Sequence, residues 1–251
     1  MKKKLVVLCM AVSFMLTACG SKVEVQEPET EAAVETEAES ETIVETETEE
    51  MVSETEEVTA EVFTETQEET EAESALDYMK GKVTDAGWES EWLGIRYVTG
   101  DGMIMSTEEE LNAIMGISME MLSEDFNEVQ LKYAELNTVY EMMCTAADKV
   151  SNVNISVEKL PIPMDIDTYV DVVKTQLSGL SEMSISITNE GEDVVVAGKD
   201  FKKLQSEVLY DGVTLYQDYY MAIVGDRVIA IVVSYMDKAV ADDIMSCFQA
   251  Y

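Results

Sequence analysis

Histidine is absent from the 251 residues of the chain. Catalysis by Ser-His-Asp or Cys-His groups, His-ligated zinc and His-ligated haem are therefore excluded. Cysteine occurs only four times, at Cys9, Cys19, Cys144 and Cys247, so no disulfide framework is expected. Cys144 and Cys247 fit buried apolar positions, and we predict free core thiols there, with a single disulfide between them as the alternative.

Positive charge is missing from a long stretch near the amino terminus. Residues 23–75 carry 21 Glu and no Lys or Arg, and residues 76–251 carry 31 acidic against 12 basic side chains, a net charge of −19. Such a surface repels phosphate backbones and anionic lipid head groups, so we expect no nucleic-acid partner. The excess acid indicates either simple solubility or a surface that collects cations or a basic partner.

No apolar run is long enough to cross a bilayer permanently. The longest, Leu5 to Leu16, has about a dozen residues and follows the basic start Met1-Lys2-Lys3-Lys4, which is typical of a signal peptide. It ends in Leu16-Thr17-Ala18-Cys19-Gly20, which resembles the lipobox of bacterial lipoproteins. The resemblance implies a signal peptide over residues 1–18, cleavage before Cys19, and a lipid on the Cys19 thiol that anchors the chain to the extracytoplasmic face of a cell membrane.

The segment after the lipobox is dominated by Glu, Thr, Ala, Val and Ser. Its apolar residues are too few and too aperiodic to build a core, and its like charges disfavour both helix and compaction. We therefore predict that residues 19–75 are the lipidated Cys19 followed by a disordered acidic tether, with an average span on the order of 40 Å. The Thr and Ser residues leave glycosylation of the tether open.

Residues 76–251 have the patterning of one small α+β domain, with an antiparallel sheet covered by helices. Strands are expected within Val83 to Val98 and at Met103 to Met105, and Ser106 with Glu109 forms a capping box for a helix. The apolar face of that helix comprises Leu111, Ile114, Met115, Met119 and Leu122. Ser123-Glu124-Asp125 predicts a second cap, and Phe126, Val129, Tyr133 and Leu136 continue the helical spacing.

The second half of the domain alternates strands, turns and two further helices. A hairpin is predicted from Val139–Ala146 and Val153–Leu160, and Asp167 is predicted to cap a helix with the apolar stripe Tyr169, Val170, Val173 and Leu177. Strands at 184–188 and 194–197 precede three long strands at 200–210, 213–224 and 227–235, joined by two-residue turns that favour hairpins. A last helix is predicted over Asp237 to Ala250, with Val240, Ile244, Cys247 and Phe248 on its buried face.

This order of elements resembles the PsbP-like fold. The resemblance rests on the Gly94–Tyr97 strand, the helix after Ser106, the Asp167 helix, the Val196-Ala197-Gly198 turn into Phe201, the long meander and the last helix. Lipoproteins of Gram-positive anaerobes that join such a domain to a Glu-rich tether are the most similar. Members of this fold include a photosystem subunit, a Ran-binding protein and secreted bacterial proteins, so the resemblance implies a non-enzymatic adaptor without a transferable site motif.

Two patterns suggest chemistry, and both favour structural interpretations. Ser156-Val157-Glu158-Lys159 spells the Ser-x-x-Lys of penicillin-binding enzymes, but in a predicted strand Ser156 and Lys159 point to opposite faces. Of the paired carboxylates, Asp165/Asp167 has an Asp-x-Asp spacing but lacks the Gly and the distal Glu of a calcium loop. The pair Asp242/Asp243 is expected on the solvent side of a helix. We expect no catalytic residue, no metal site and no cofactor.

Two further features bear on binding. The strand with Tyr216, Asp218 and Tyr220 could present a tyrosine row as a binding surface, although most of its bulky side chains should be core. The methionines Met115, Met119, Met121, Met142 and Met143 are expected to fill gaps between helices and sheet, and a Met-rich surface would also adapt to partners.

The function that these patterns favour is a non-catalytic binding or adaptor module, displayed outside the cell by the lipid on Cys19 and possessing a protein partner. The alternative is a carrier that holds a small molecule or a cation in a pocket between sheet and helices. An enzyme of unassigned class is the third hypothesis.

Overall fold

The computed structural model describes residues 77–122, 128–180, 184–210 and 212–251. The signal peptide, Cys19 and the tether lie outside these residues, as do the predicted cap at Ser123-Glu124-Asp125 and Phe126. Those interpretations stay predictions.

The strands form two antiparallel sheets within the described residues. A four-stranded sheet has the order β1-β2-β3-β11, and a seven-stranded sheet has the order β4-β5-β6-β10-β9-β8-β7. The strands of the first sheet are β1 (Lys82–Thr84), β2 (Gly87–Ser90), β3 (Ile95–Val98) and β11 (Phe248–Ala250). Those of the second are β4 (Ile104–Met105), β5 (Thr138–Thr145), β6 (Asn152–Lys159), β7 (Ser184–Val196), β8 (Lys199–Tyr210), β9 (Val213–Val224) and β10 (Arg227–Tyr235).

Four helices are described, and they lie on both faces of the large sheet. They are α1 (Glu108–Leu122), α2 (Glu128–Asn137), α3 (Ile166–Ser178) and α4 (Lys238–Ser246). Helix α3 buries Tyr169, Val170, Val173 and Leu177, the stripe predicted from the sequence. None of the helices in the described ranges is long and apolar enough to cross a membrane.

Strand alternation divides the apolar side chains into two cores. Along β10, Val228, Ala230 and Val232 face the core beneath α3. Ile229, Ile231 and Val233 face the second core, which packs against the small sheet and α4. Successive side chains of a strand point to opposite faces, so a strand buried on both faces is apolar at nearly every position. The predicted α+β class, with helices covering an antiparallel sheet, is confirmed.

Two predicted helix caps are wrong by one or two residues. Helix α1 is capped by Thr107, whose Oγ1 accepts from Glu110 N, while Glu110 Oε2 accepts from Thr107 N. Ser106 instead donates its backbone N–H to Met143 O, because β4 leads the chain along β5 at this point. Helix α3 is capped by Asp165, which accepts from Thr168 N, so Asp167 lies in the first turn.

Two predicted boundaries in the second half are also wrong. The segments at 184–188 and 194–197 form one strand, β7, whose register shifts around Asn189 and Gly191 because Asn189 Oδ1 accepts from Gly191 N. The last helix ends at Ser246 with Cys247 as its C-cap, and β11 follows. Phe248 is buried as predicted, but it lies on a strand that pairs with β3 at Tyr97.

The hairpin of β5 and β6 and the meander of β8, β9 and β10 are confirmed. The turn between β7 and β8 is formed by Ala197 and Gly198, with φ of +51° and +81°. Positive φ at both turn residues matches the twist of paired strands. The turn therefore brings Asp193 of β7 and Lys202 of β8 into register as neighbours.

Candidate functional site

A surface cleft of about 290 Å³ lies where the amino end of α3 meets β7, β8 and β9. We call it the α3 cleft. Its apolar lining includes Met164, Phe201, Met221 and Ile223. Met221 is a buried side chain of the core beneath α3, and Met164 and Ile223 pack against that core, so the floor of the cleft is a continuation of the packed interior.

Carboxylates surround this apolar floor. Asp165, Asp193 and Asp200 line the cleft, and Lys202 lines it as well. The Lys202 Nζ lies 3.0 Å from Asp193 Oδ1 and 3.0 Å from Asp167 Oδ1 in the first turn of α3. The cleft and its rim thus hold one ammonium group against four carboxylates.

The hydrogen bonds at the cleft stabilise the charged forms of its groups. The hydrogen bonds that Lys202 donates to Asp193 and Asp167 raise the pKa of Lys202. The hydrogen bonds from the backbone and hydroxyl of Thr168 lower the pKa of Asp165. Both groups are therefore charged at neutral pH, and the cleft is net negative.

A second cavity of about 310 Å³ lies between α1, α2 and β5, lined by Met115, Ala134, Thr138 and Tyr140 among others. The two helices that border it carry side chains in 117–130 that lie outside the description. We therefore take the α3 cleft as the candidate site.

Glu141 is a buried carboxylate that no sequence pattern singled out. It accepts hydrogen bonds from Tyr78 Oη at 2.7 Å, Gly81 N at 2.7 Å and Trp88 Nε1 at 3.3 Å. The register of β5 against β6 shifts between Tyr140 and Met142, and such a bulge re-aims a side chain. Glu141 therefore fastens residues 78–88 to the sheet and has a structural role.

The predicted tyrosine row is not a surface. Tyr220 and Asp218 are buried, and only Tyr216 is exposed, stacked on Tyr235 with the ring centroids 5.7 Å apart. Asp218 accepts from Tyr235 Oη and Gln205 Nε2 and pairs with Lys203 Nζ at 3.0 Å. The row is an internal polar network, and its interpretation as a binding surface is wrong.

The other candidate residues lie apart from the cleft. Ser156 is buried and Lys159 is exposed on β6, as their odd spacing along a strand requires. Asp242 and Asp243 are exposed on α4, and Asp242 pairs with Lys238. The thiols of Cys144 and Cys247 are buried and free, and burial raises the pKa of Cys144.

The predicted methionines and the α2 stripe have mixed outcomes. Met142 and Met143 are fully buried and Met115 is partly buried, in keeping with a gap-filling role. Leu136 is exposed, so the predicted stripe does not reach the end of α2. The side chains of Met119, Met121, Leu122, Val129 and Tyr133 lie outside the description. Among the described residues, no group of three or more Cys, Asp or Glu is placed to hold a metal ion.

Comparison with known proteins returns similarity only among solved structures. No family model and no curated protein matches the chain. The solution structure of cyanobacterial PsbP (CyanoP) from Synechocystis sp. PCC 6803 aligns with a TM-score of 0.38 and 12% identity, over 63% of this chain and 87% of that chain.

A second structure, LpqN, is described as involved in cell envelope biogenesis of Mycobacterium tuberculosis. It aligns with a TM-score of 0.38 and 10% identity, over 62% of this chain and 82% of that chain.

Sequence analysis singled out Asp165 and Asp167 of the cleft, but as a pair of neighbouring carboxylates and, for Asp167, as a helix cap. It did not indicate Asp193, Asp200 or Lys202, because these residues are charged strand positions with no local signature. Their assembly depends on the register of β7 against β8. The one local signal was the Ala197-Gly198 turn, which predicts that the two strands pair.

Proposed function

We propose that the chain is an extracytoplasmic lipoprotein of a Gram-positive cell membrane, anchored through Cys19, whose folded domain is a non-catalytic binding module with a protein partner. The α3 cleft carries this proposal, because a concave, mostly apolar opening with a few placed charges is the usual form of a recognition site. The absence of histidine from the whole sequence also argues against the commonest hydrolytic mechanisms.

The proposed address is tested by Cys19→Ala. We expect the variant to be released from the membrane or to stall as a precursor, since the thiol is the only acceptor in the lipobox. The measurement is membrane partition together with mass spectrometry of the amino-terminal peptide, and Cys9→Ala is the matched control. Retained acyl chains on the Cys19→Ala protein would refute the anchor.

The binding function is tested by photo-crosslinking on living cells, with the reactive group placed beside the cleft at Thr168. A specific partner should be captured from this position and not from Glu109, an exposed residue of α1. Equal yields from the two positions would contradict a binding module that uses this cleft.

The concave shape of the cleft also favours a second function, a carrier of a small molecule or a cation. Thermal unfolding against metals and metabolites separates the two, because a ligand that binds only the folded state raises the melting temperature in a saturable manner. A saturable small ligand without any crosslinked partner would favour the carrier.

A further inference from the structure

We propose that the α3 cleft docks a lysine side chain from a basic segment of the partner protein. The proposal rests on the binding function stated above and names the chemistry of its partner.

The apolar floor of the cleft suits the hydrocarbon part of a lysine. Met164, Ile166, Met221 and Ile223 line it. A lysine side chain buries its four-carbon stem along an apolar surface while its ammonium group stays at a polar rim. A short acid or a bare metal ion would leave the apolar lining without a partner.

The charges at the rim select a cation. Asp165, Asp167, Asp193 and Asp200 face one cation, Lys202, which leaves an excess of three negative charges. Asp193 and Asp200 are exposed and lie on either side of the Ala197-Gly198 turn. A second ammonium group can therefore approach these two carboxylates from solvent.

Lys202 itself shows the geometry that such a group can adopt. Its side chain is 21% exposed, and its ammonium group bridges Asp167 and Asp193 at 3.0 Å each. Both aspartates are largely exposed, at 75% and 86%, and exposed ion pairs contribute little to stability. An incoming lysine can thus share or replace this ammonium group at small cost.

The rest of the domain favours a protein as the source of the lysine. Residues 76–251 carry a net charge of −19. The negative electrostatic field of this charge attracts a polycationic segment from a distance and raises its association rate. Asp193 also lies on β7, the edge strand of the described sheet, so the backbone of a partner can come close. A free amine would use only the cleft.

The test measures thermal unfolding of the full chain, followed by tryptophan fluorescence, while a short lysine-rich peptide is added. The readout reports binding to the folded domain, whereas peptide that merely associates with the Glu-rich segment does not shift the unfolding of the fold. We expect a saturable rise in melting temperature that disappears when the lysines of the peptide are Nε-acetylated.

The matched variants are Asp193→Asn with Asp200→Asn against Glu109→Gln on α1, which packs by β5, far from β7 in the strand order. We expect the double variant to weaken the apparent affinity about tenfold and Glu109→Gln to leave it unchanged. Lys202→Gln should tighten binding, because it removes the competing ammonium group. All four positions are exposed or at the rim, and each variant is first checked for an unchanged melting temperature without peptide.

Three results would overturn the proposal. They are equal binding of the acetylated peptide, undiminished binding by the Asp193→Asn/Asp200→Asn protein, and equally tight binding of 1,5-diaminopentane, which would make a free amine the ligand. If cell-surface crosslinking still captures the partner from the double variant, the lysine site fails while the binding module stands. If crosslinking captures nothing from the wild type, the binding module itself fails.

Discussion

Glu141 joins the first described residues of the domain to the large sheet. Its two oxygens accept from a tyrosine hydroxyl, a backbone N–H and an indole N–H, and the side chain is almost fully buried. The Arg227 guanidinium lies over the ring of Tyr78, 4.2 Å from its centroid. Gly81 has no room for a larger residue, because an added Cβ would lie 2.4 Å from Trp88 Nε1.

We expect Glu141→Ala to lower the free energy of unfolding by about 3 kcal/mol, since the buried indole N–H of Trp88 and two partly buried donors lose their acceptor. Glu141→Gln should cost less, because one acceptor oxygen remains. Urea unfolding measures both, and Glu109→Gln, which is exposed, should change the free energy by less than about 0.5 kcal/mol. A loss that small for Glu141→Ala would show that residues 78–88 are not held by this carboxylate.

Three buried tyrosines make the stability of the fold decrease at alkaline pH. Burial is the main cause that raises the pKa of Tyr97, Tyr220 and Tyr235 above the ordinary value of 10. Their stabilising contribution is therefore fully present below pH 10 and declines above it, because the unfolded chain ionises first. Ultraviolet titration should show these side chains ionising only as the protein unfolds, whereas in denaturant all eleven tyrosines titrate together.

A phenylalanine substitution checks this assignment. Tyr97→Phe should leave the portion of the native titration near pH 10 unchanged, because Tyr97 does not ionise there in the folded state. A smaller signal at that pH in the variant would mean that Tyr97 is accessible.

At the scale of elements, the last strand closes the small sheet. Phe248 of β11 packs edge-on against Tyr97, with ring centroids 5.0 Å apart, and pairs with β3. Truncation of a buried aromatic ring leaves a cavity, so Phe248→Ala should cost about 3 kcal/mol in urea unfolding. Tyr251→Ala, which removes a half-exposed ring three residues on, is the control and should change little. Similar effects of the two variants would mean that β11 does not dock.

At the scale of the whole molecule, residues 23–75 are proposed to supply reach without contributing to the fold. Their deletion should change the melting temperature of the domain by less than about 2 °C, since little apolar surface is available to offset their ordering entropy. Differential scanning calorimetry measures this. In the anchored protein the same deletion should reduce accessibility to antibodies applied outside an intact cell wall.

A scrambled segment of equal length and charge is the matched control for the deletion, and it should preserve accessibility. Loss of the partner with the scrambled segment would make residues 23–75 a recognition element rather than a spacer.

Local patterns in the sequence determined most of the elements of this domain. The stripe Tyr169, Val170, Val173 and Leu177 repeats with the helical period, and the long strands of the meander are separated by two-residue turns, so both were predictable from residues close in the chain. Cap positions were less secure, because Ser106 and Thr107 are chemically equivalent choices. Only the pairing of β4 with β5 directs the Ser106 N–H to Met143 O and leaves Thr107 as the cap.

The tertiary structure alone decided the candidate site and the internal polar groups. Asp193, Asp200 and Lys202 come together with the amino end of α3 through strand register and helix packing, which are long-range contacts that leave no periodic signal. The same holds for Glu141 and Asp218, which are buried within apolar strands. Hydrogen bonds from donors far away in the sequence offset the loss of solvation of these carboxylates. The sequence by itself determined the composition, the charge and the periodicity of the elements, because those depend on neighbours along the chain.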